Sequence, residues 1–223
     1  MGDTTTYEIS DVTVRDTRAD GIHNTDGSSD GRIIRPRIYN SGDDGVSIVS
    51  YRTQDITHDI LVESPEFYSN HWGRAYSVVG GSSVTFNNVY AEYSAAAGIY
   101  VAAESSFNTY GVNDVTFNGG TLVGVNTNAS VDHGAILVFN GQPLEIIEDV
   151  TINNINIQNT NTAVSRNVGL LTAASTLGSN RIEFNTIAIT GGPANPFGIT
   201  GTNSHRRLNW TQNGSTLTDH SDY

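Results

Sequence analysis

Two aspartates that stand directly before a glycine, Asp20-Gly21 and Asp44-Gly45, are the residues of this chain whose type and spacing most suggest chemistry, and Asp43 lies beside the second. Carboxylates held close together cannot all ionise normally, because each charge disfavours the next, so at least one is expected to titrate high. Hydrolysis of a glycosidic bond needs that division. A protonated acid donates to the leaving oxygen while a carboxylate activates water or attacks the sugar. A separation of about 6.5 to 9.5 Å leaves room for water and gives inversion, whereas about 5 Å gives retention. The catalytic candidates are therefore Asp20, Asp43 and Asp44. Candidates for binding substrate are His71 and Arg74, the flat apolar faces of Trp72, Tyr76 and Tyr100, the carboxylate of Glu104 beside sugar hydroxyls, and Asp26 and His23 in the first acidic stretch.

Each residue also has a plainer use. An aspartate before glycine commonly bonds its own backbone in a turn, and clustered carboxylates can hold Ca²⁺. The regular Asp-x-Asp spacing of a calcium loop is missing, so no metal ligand or cofactor is assigned. Asp132-His133-Gly134 resembles half a catalytic dyad, but no serine stands in a matching strained elbow. His133 reads as cleft lining or an ordinary turn residue.

These side chains can meet only if distant turns are stacked, and the sequence contains a repeat that would stack them. A first apolar run recurs as Val12-Thr13-Val14, Arg32-Ile33-Ile34, Ile60-Leu61-Val62, Val84-Thr85-Phe86, Val115-Thr116-Phe117, Val150-Thr151-Ile152 and Ile182-Glu183-Phe184. A second run follows each, opened by a small residue: Gly21-Ile22, Gly45-Val46, Ala75-Tyr76, Gly98-Ile99, Gly134-Ala135, Gly169-Leu170 and Gly198-Ile199. The runs are rich in β-branched residues, turn residues separate them, and no stretch keeps a helical period. A repeat of this length without helices predicts a right-handed parallel β-helix of about seven coils, each burying its inward residues on the next. Asparagines in runs such as Asn153-Asn154 and Asn87-Asn88 suit stacked amide ladders. A sandwich or barrel is the other all-β solution. Residues 1–204 form the predicted β-helix domain, read as a possible fragment without its N-terminal cap. Residues 205–223 read as a polar tail or end cover, with Trp210 shielding the end of the stack.

Composition narrows the function. The net charge of −12, with eleven arginines and no lysine, argues against nucleic acid or an anionic membrane as partner. Cysteine is absent, which excludes disulfides, thiolate metal sites and cysteine nucleophiles. No apolar run approaches the roughly 18 residues of a membrane span.

At the acidic residues the sequence resembles glycoside hydrolase family 28, the polygalacturonase-like β-helix family, and the pectate-lyase-superfamily β-helices of phage tailspikes. That family carries Asn-Thr-Asp, then Asp-Asp, Gly-His-Gly and Arg-Ile-Lys. Gly42-Asp43-Asp44-Gly45 matches the second motif and His71-Trp72-Gly73 the third with an inserted tryptophan. Asn24-Thr25-Asp26 copies the first motif literally, but coil register points instead to Asp20, with Asp26 in reserve. The fourth register position holds Gly98-Ile99-Tyr100 without a cation. The resemblance implies an inverting hydrolase with Asp43 as acid and Asp44 and Asp20 as base. The missing cations, which hold a uronic carboxylate in the family, imply a substrate other than galacturonan. The expected partner is a polysaccharide or glycan met outside the cell. The alternative is a glycan-binding tailspike or adhesin module, trimeric if tailspike-like. A polysaccharide lyase is the weakest reading, because no lysine exists and no arginine lies between Arg74 and Arg166.

Overall fold

Alternating apolar residues bounded by turn formers make short strands, and in the computed structural model, which describes all 223 residues, none of the chain is helical. Seven strands, Ile22–Asn24, Val46–Val49, Tyr76–Val79, Ile99–Ala103, Ile136–Asn140, Val168–Thr172 and Phe197–Thr200, form one wholly parallel sheet with one strand per coil. A larger sheet faces it. Its successive strands are Thr5–Ser10, Ser29–Ile34, His58–Glu63, Gly81–Glu92, Val112–Val123, Ile147–Gln158, Ser179–Thr190 and Asn203–Leu208. In the first coils a separate third leg follows, as in Arg37–Ser41 and Glu66–Asn70; in later coils it merges into the twelve-residue strands. The architecture is a right-handed parallel β-helix, and parallel strands feeding one another through crossovers take that hand almost without exception.

The core is the space inside the coils, filled by columns of like residues. Phe86 and Phe117 stack with ring centroids 4.6 Å apart and planes 10° from parallel, and both are fully buried. Truncating such a ring costs about 3–5 kcal/mol. One edge of the stack carries a column of left-handed residues, Asp11, Arg35, Ser64, Asn88, Gly119, Asn154, Thr186 and Asn209, with φ from 48 to 82°. The hydrogen bonds Asp11 N–H to Ile34, Arg35 N–H to Glu63 and Ser64 N–H to Asn87 tie successive turns of that edge together. Beside it the expected amide ladder is present in part: Asn153 donates to Asn118 at 3.3 Å and Asn209 to Asn185 at 2.9 Å.

Register corrects three parts of the repeat, and in one of them Gly31 rather than Arg32 pairs with Ile60, so Arg32-Ile33-Ile34 starts one residue late. Arg32-Ile33-Ile34 pairs with Glu8-Ile9-Ser10, while Thr13–Arg15 pairs with Arg37–Tyr39 on the next leg, so Val12-Thr13-Val14 was a misplaced first copy. Both runs alternate, and alternation alone does not say which leg a strand occupies. In later coils Ile99 pairs with Ile136, Ile136 with Val168 and Val168 with Phe197. Gly134 therefore lies one residue before its expected column, and Gly169 and Gly198 lie inside their strands.

At the far end, strand Asn203–Leu208 runs across the point where the repeat fades and pairs in parallel with Ser179–Thr190. Trp210 is 2% exposed, donates its indole N–H to the Phe184 carbonyl at 3.0 Å, and packs edge-on against Phe184 and Phe197.

Candidate active site

The seven-stranded sheet sets the site by register. Gly21 N–H bonds the carbonyl of Asp44 and Gly45 N–H that of Arg74, so Asp20, Asp44 and Arg74 form one column at the entry to three successive strands. Two residues into each strand, His23, Ser47, Ser77 and Tyr100 form a second column. The two columns interlock. Asp20 accepts the main-chain N–H of Asp44 at 3.0 Å and the Ser47 hydroxyl at 2.5 Å. Asp44 accepts the same pair one coil later, the N–H of Arg74 at 2.7 Å and the Ser77 hydroxyl at 2.5 Å. Asp43 joins from the turn beside Asp44, and facing oxygens of the three carboxylates lie within 4.8 Å of one another.

Glycine makes this packing possible at one point. Gly73 adopts φ +74°, and a Cβ there would come within 2.2 Å of Asp43 Oδ1 and 2.5 Å of Asp44 Oδ1. Beneath it, Asp43 Oδ1 is sealed from solvent without a hydrogen-bond partner.

The environments divide the three acids. Burial would raise Asp20, but hydrogen bonds from His23 and Ser47 outweigh it and hold Asp20 below the usual carboxylate range. Burial pushes Asp44 up to about 7, with Arg74 opposing and the charges of Asp20 and Asp43 assisting. Burial and then the charge of Asp20 raise Asp43 as well. Asp43 and Asp44 thus titrate as a pair holding a proton toward neutrality.

Around them is a cavity of about 110 Å³, lined by the three aspartates, His23, Arg74 and Glu104, with Tyr51, Phe107 and Thr109 on the wall. His23 Nδ1 lies 2.6 Å from Asp20 Oδ2 and 2.9 Å from Ser47 Oγ. The Arg74 guanidinium rests 4.1 Å above the Tyr100 ring and 3.3 Å from Glu104, which also accepts the Tyr100 hydroxyl at 2.6 Å. Behind Tyr100, His133 stacks at 5.2 Å. Burial, helped by Arg74 and Arg166, lowers His133 to about 4, so its ring is neutral. Its neighbour Asp132 is committed to Arg166 at 3.0 Å.

The structure brings together Asp20, Asp43, Asp44, His23, Arg74 and Glu104. Tyr76 is not part of this group. It stands in the inward column with Val46 and Ile99, is fully buried, and donates its hydroxyl to the carbonyls of Pro65 and Tyr90. Tyr100 is in the cleft-facing column but only 2% exposed; its face carries Arg74 and His133, so no ring face is left for a sugar. Asp26 lies past the far end of its strand in a left-handed turn (φ 54°), away from the cavity. His71 and Trp72 occupy the turn just before Gly73 and are exposed, Trp72 by 54%, without lining the cavity. Sequence reasoning missed Ser47, Ser77, Gly73, Tyr51, Phe107 and Thr109. The serines had a signal: they fall at one register position in consecutive apolar strands.

No protein-family model matches the sequence, and no curated protein does. Among solved structures the chain is similar to the catalytic domain of a GH87 alpha-1,3-glucanase, as an aspartate-to-alanine variant in complex with tetrasaccharides. The TM-score is 0.69 at 20% identity, covering 94% of this chain and 42% of that one. A second variant, altered at the adjacent aspartate and also with tetrasaccharides, gives a TM-score of 0.56 at 17% identity, covering 95% and 46%. The domain in complex with nigerose gives 0.55 at 16% identity, covering 94% and 45%. This chain spans less than half the length of these glucanase domains and shares their parallel β-helix fold.

Proposed function

We propose that the protein is a glycoside hydrolase that cleaves a neutral glucan, with α-1,3-linked glucose the first substrate to test. The observation that carries this reading is the convergence of Asp20, Asp43 and Asp44 in one cleft with unlike proton affinities. A depressed carboxylate beside a proton-holding pair is the division that acid/base cleavage needs. Asp44 accepts donors at both oxygens while Asp43 Oδ1 has none, so the pair's proton is assigned to Asp43. Asp43 then donates to the leaving oxygen, and Asp44 with Asp20 deprotonates the attacking water. This is also the division of roles implied by the polygalacturonase-like order of motifs.

Charge argues for a neutral sugar. Four carboxylates line the cavity against one guanidinium, and Arg74 is already engaged by Glu104 and Asp44. A uronate would meet net repulsion. The similar alpha-1,3-glucanase domains are in complex with tetrasaccharides or nigerose, and two of them carry an alanine at one of two consecutive aspartates, as Asp43 and Asp44 are consecutive here. A polysaccharide does not diffuse across a membrane, which supports action outside the cell.

The test is release of reducing ends from α-1,3-glucan, α-1,4-glucan and polygalacturonate by wild type and Asp43→Asn. Release from a glucan by wild type alone, reduced by about 10³-fold or more in the variant, is expected. Oligosaccharide binding without release by either protein would leave a glycan-binding module instead. The facing oxygens approach within 4.8 Å, tighter than the ~6.5–9.5 Å associated with inversion, so NMR of the first product anomer is decisive for the step. The motif order implies inversion through a water held by Asp44 and Asp20, whereas the close approach favours retention with one of them as nucleophile, and the anomer tells the two apart.

A further inference from the structure

One inward column of the large sheet reads Ile60, Val84, Val115, Val150, Ile182, each in register with the next, and its following member is His205. An imidazole ending an aliphatic column breaks the pattern that fills the rest of the core, and such breaks mark functional positions. His205 is 5% exposed, with its ring between Phe197 (5.3 Å) and His220 (4.5 Å). His220 belongs to the short strand His220–Ser221, which runs antiparallel to Arg206 and Arg207. Asp222 follows and donates its main-chain N–H to the His205 carbonyl at 3.1 Å.

The side chains converge. Asp222 Oδ2 lies 3.0 Å from His205 Nδ1 and Asp222 Oδ1 lies 2.7 Å from His220 Nε2. Both nitrogens are sealed from solvent and neither contact has the direction of a hydrogen bond, so each nitrogen is left unpartnered. One donor atom from each of the three residues falls within a span of 4.8 Å. Four-coordinate zinc, with bonds of about 2.0–2.2 Å, needs donor atoms roughly 3.3 Å apart. Two imidazoles and one carboxylate suit borderline transition ions, whereas Ca²⁺ and Mg²⁺ prefer oxygen-rich sets.

We propose that His205, His220 and Asp222 bind a divalent transition metal ion of the Zn²⁺ class, with water in the fourth position. The ion fastens the last hairpin onto the closing coil beside Trp210. This site is at the opposite end of the solenoid from Asp20, Asp43 and Asp44, and its test does not depend on the proposed hydrolysis.

The experiment uses the untagged full chain, stripped with a chelator and titrated with ZnCl₂ by calorimetry and thermal melting. One ion per chain is expected, with a rise of several degrees in Tm, no matching rise with CaCl₂, and the same response in Asp20→Asn. The double variant His220→Ala, Asp222→Asn alters the two more exposed ligands and is expected to bind at least about 10-fold more weakly. Co²⁺ on wild type gives a readout independent of any variant: the strong visible bands of a four-coordinate ion are expected. Absence of zinc binding by wild type, equal binding by the double variant, or a pale six-coordinate cobalt spectrum would each overturn the site.

Discussion

Asp20 and Asp44 accept the same two hydrogen bonds, a main-chain N–H and a serine hydroxyl from the next coil, yet their proton affinities move in opposite directions. What differs is what lies beyond the cradle. Asp20 has an imidazole at 2.6 Å. Asp44 is 5% exposed, its cation Arg74 is 3.8 Å away and shared with Glu104, and two other carboxylates face it. The repeat supplies position, and the surroundings supply charge. A solenoid can therefore place chemically unlike groups with one structural device.

The most damaging way to break this comparison is to crowd the pair from above. Gly73→Ala puts a methyl against both Oδ1 atoms in a left-handed backbone; a loss of roughly 2–5 kcal/mol in stability and of about 10²-fold in activity is expected, read by denaturation and by reducing-end release. Next is the opposition itself. The folded Asp43–Asp44 pair keeps its one proton to about pH 7, while the unfolded chain releases it near 4, so stability falls as pH rises through that window. Asp44→Asn is expected to flatten the fall, gaining on the order of 2–3 kcal/mol over wild type at pH 8. Asp20 works the other way: its contribution is present above the unfolded value and is lost as pH falls through its depressed folded value. Asp20→Asn is thus expected to cost about 1–2 kcal/mol at pH 7 and less at pH 3. Urea titrations at pH 3, 5, 7 and 8 check both; parallel curves would remove the distinction.

The serines sharpen the comparison at smaller scale. Ser77 lowers the proton affinity of the Asp43–Asp44 pair through Asp44, so Ser77→Ala should move the alkaline limb of the pH–rate profile, where the pair loses its proton, upward by about one unit. Ser47 lowers Asp20, and Ser47→Ala should move the acid limb instead, by a similar amount. As a control, Arg32→Gln removes an exposed pair with Glu8 at 3.4 Å on the opposite sheet and should shift Tm by less than about 2 °C.

Much of this was legible because a β-helix writes its register into repeated glycines and apolar runs. Aligning Gly21 with Gly45 selected Asp20 over the literal Asn24-Thr25-Asp26, and the structure brings Asp20, not Asp26, to the other two aspartates. What alignment did not settle was direction. Tyr76 and Tyr100 both looked suited to a sugar, but they occupy adjacent register positions and so must face opposite ways. Strict counting would have sent Tyr76 inward with Val46. The walls were harder: Tyr51, Phe107 and Thr109 come from loops that share no repeat, joined by the bridge between Tyr51 and Thr109. The cluster of His205, His220 and Asp222 was hidden because a hairpin, not the coil repeat, folds its members together.

The left-handed column at the opposite edge has a consequence for how such a protein can diversify. With one corner of every coil pinned to a single residue, added or lost length must be absorbed elsewhere, mainly in the loops that leave the seven-stranded sheet. Those include residues 52–56 and 105–108, beside the cleft. The stack thus has a rigid spine and an elastic rim. New substrate shapes can be tried by changing the rim while the spine keeps the aspartates in step.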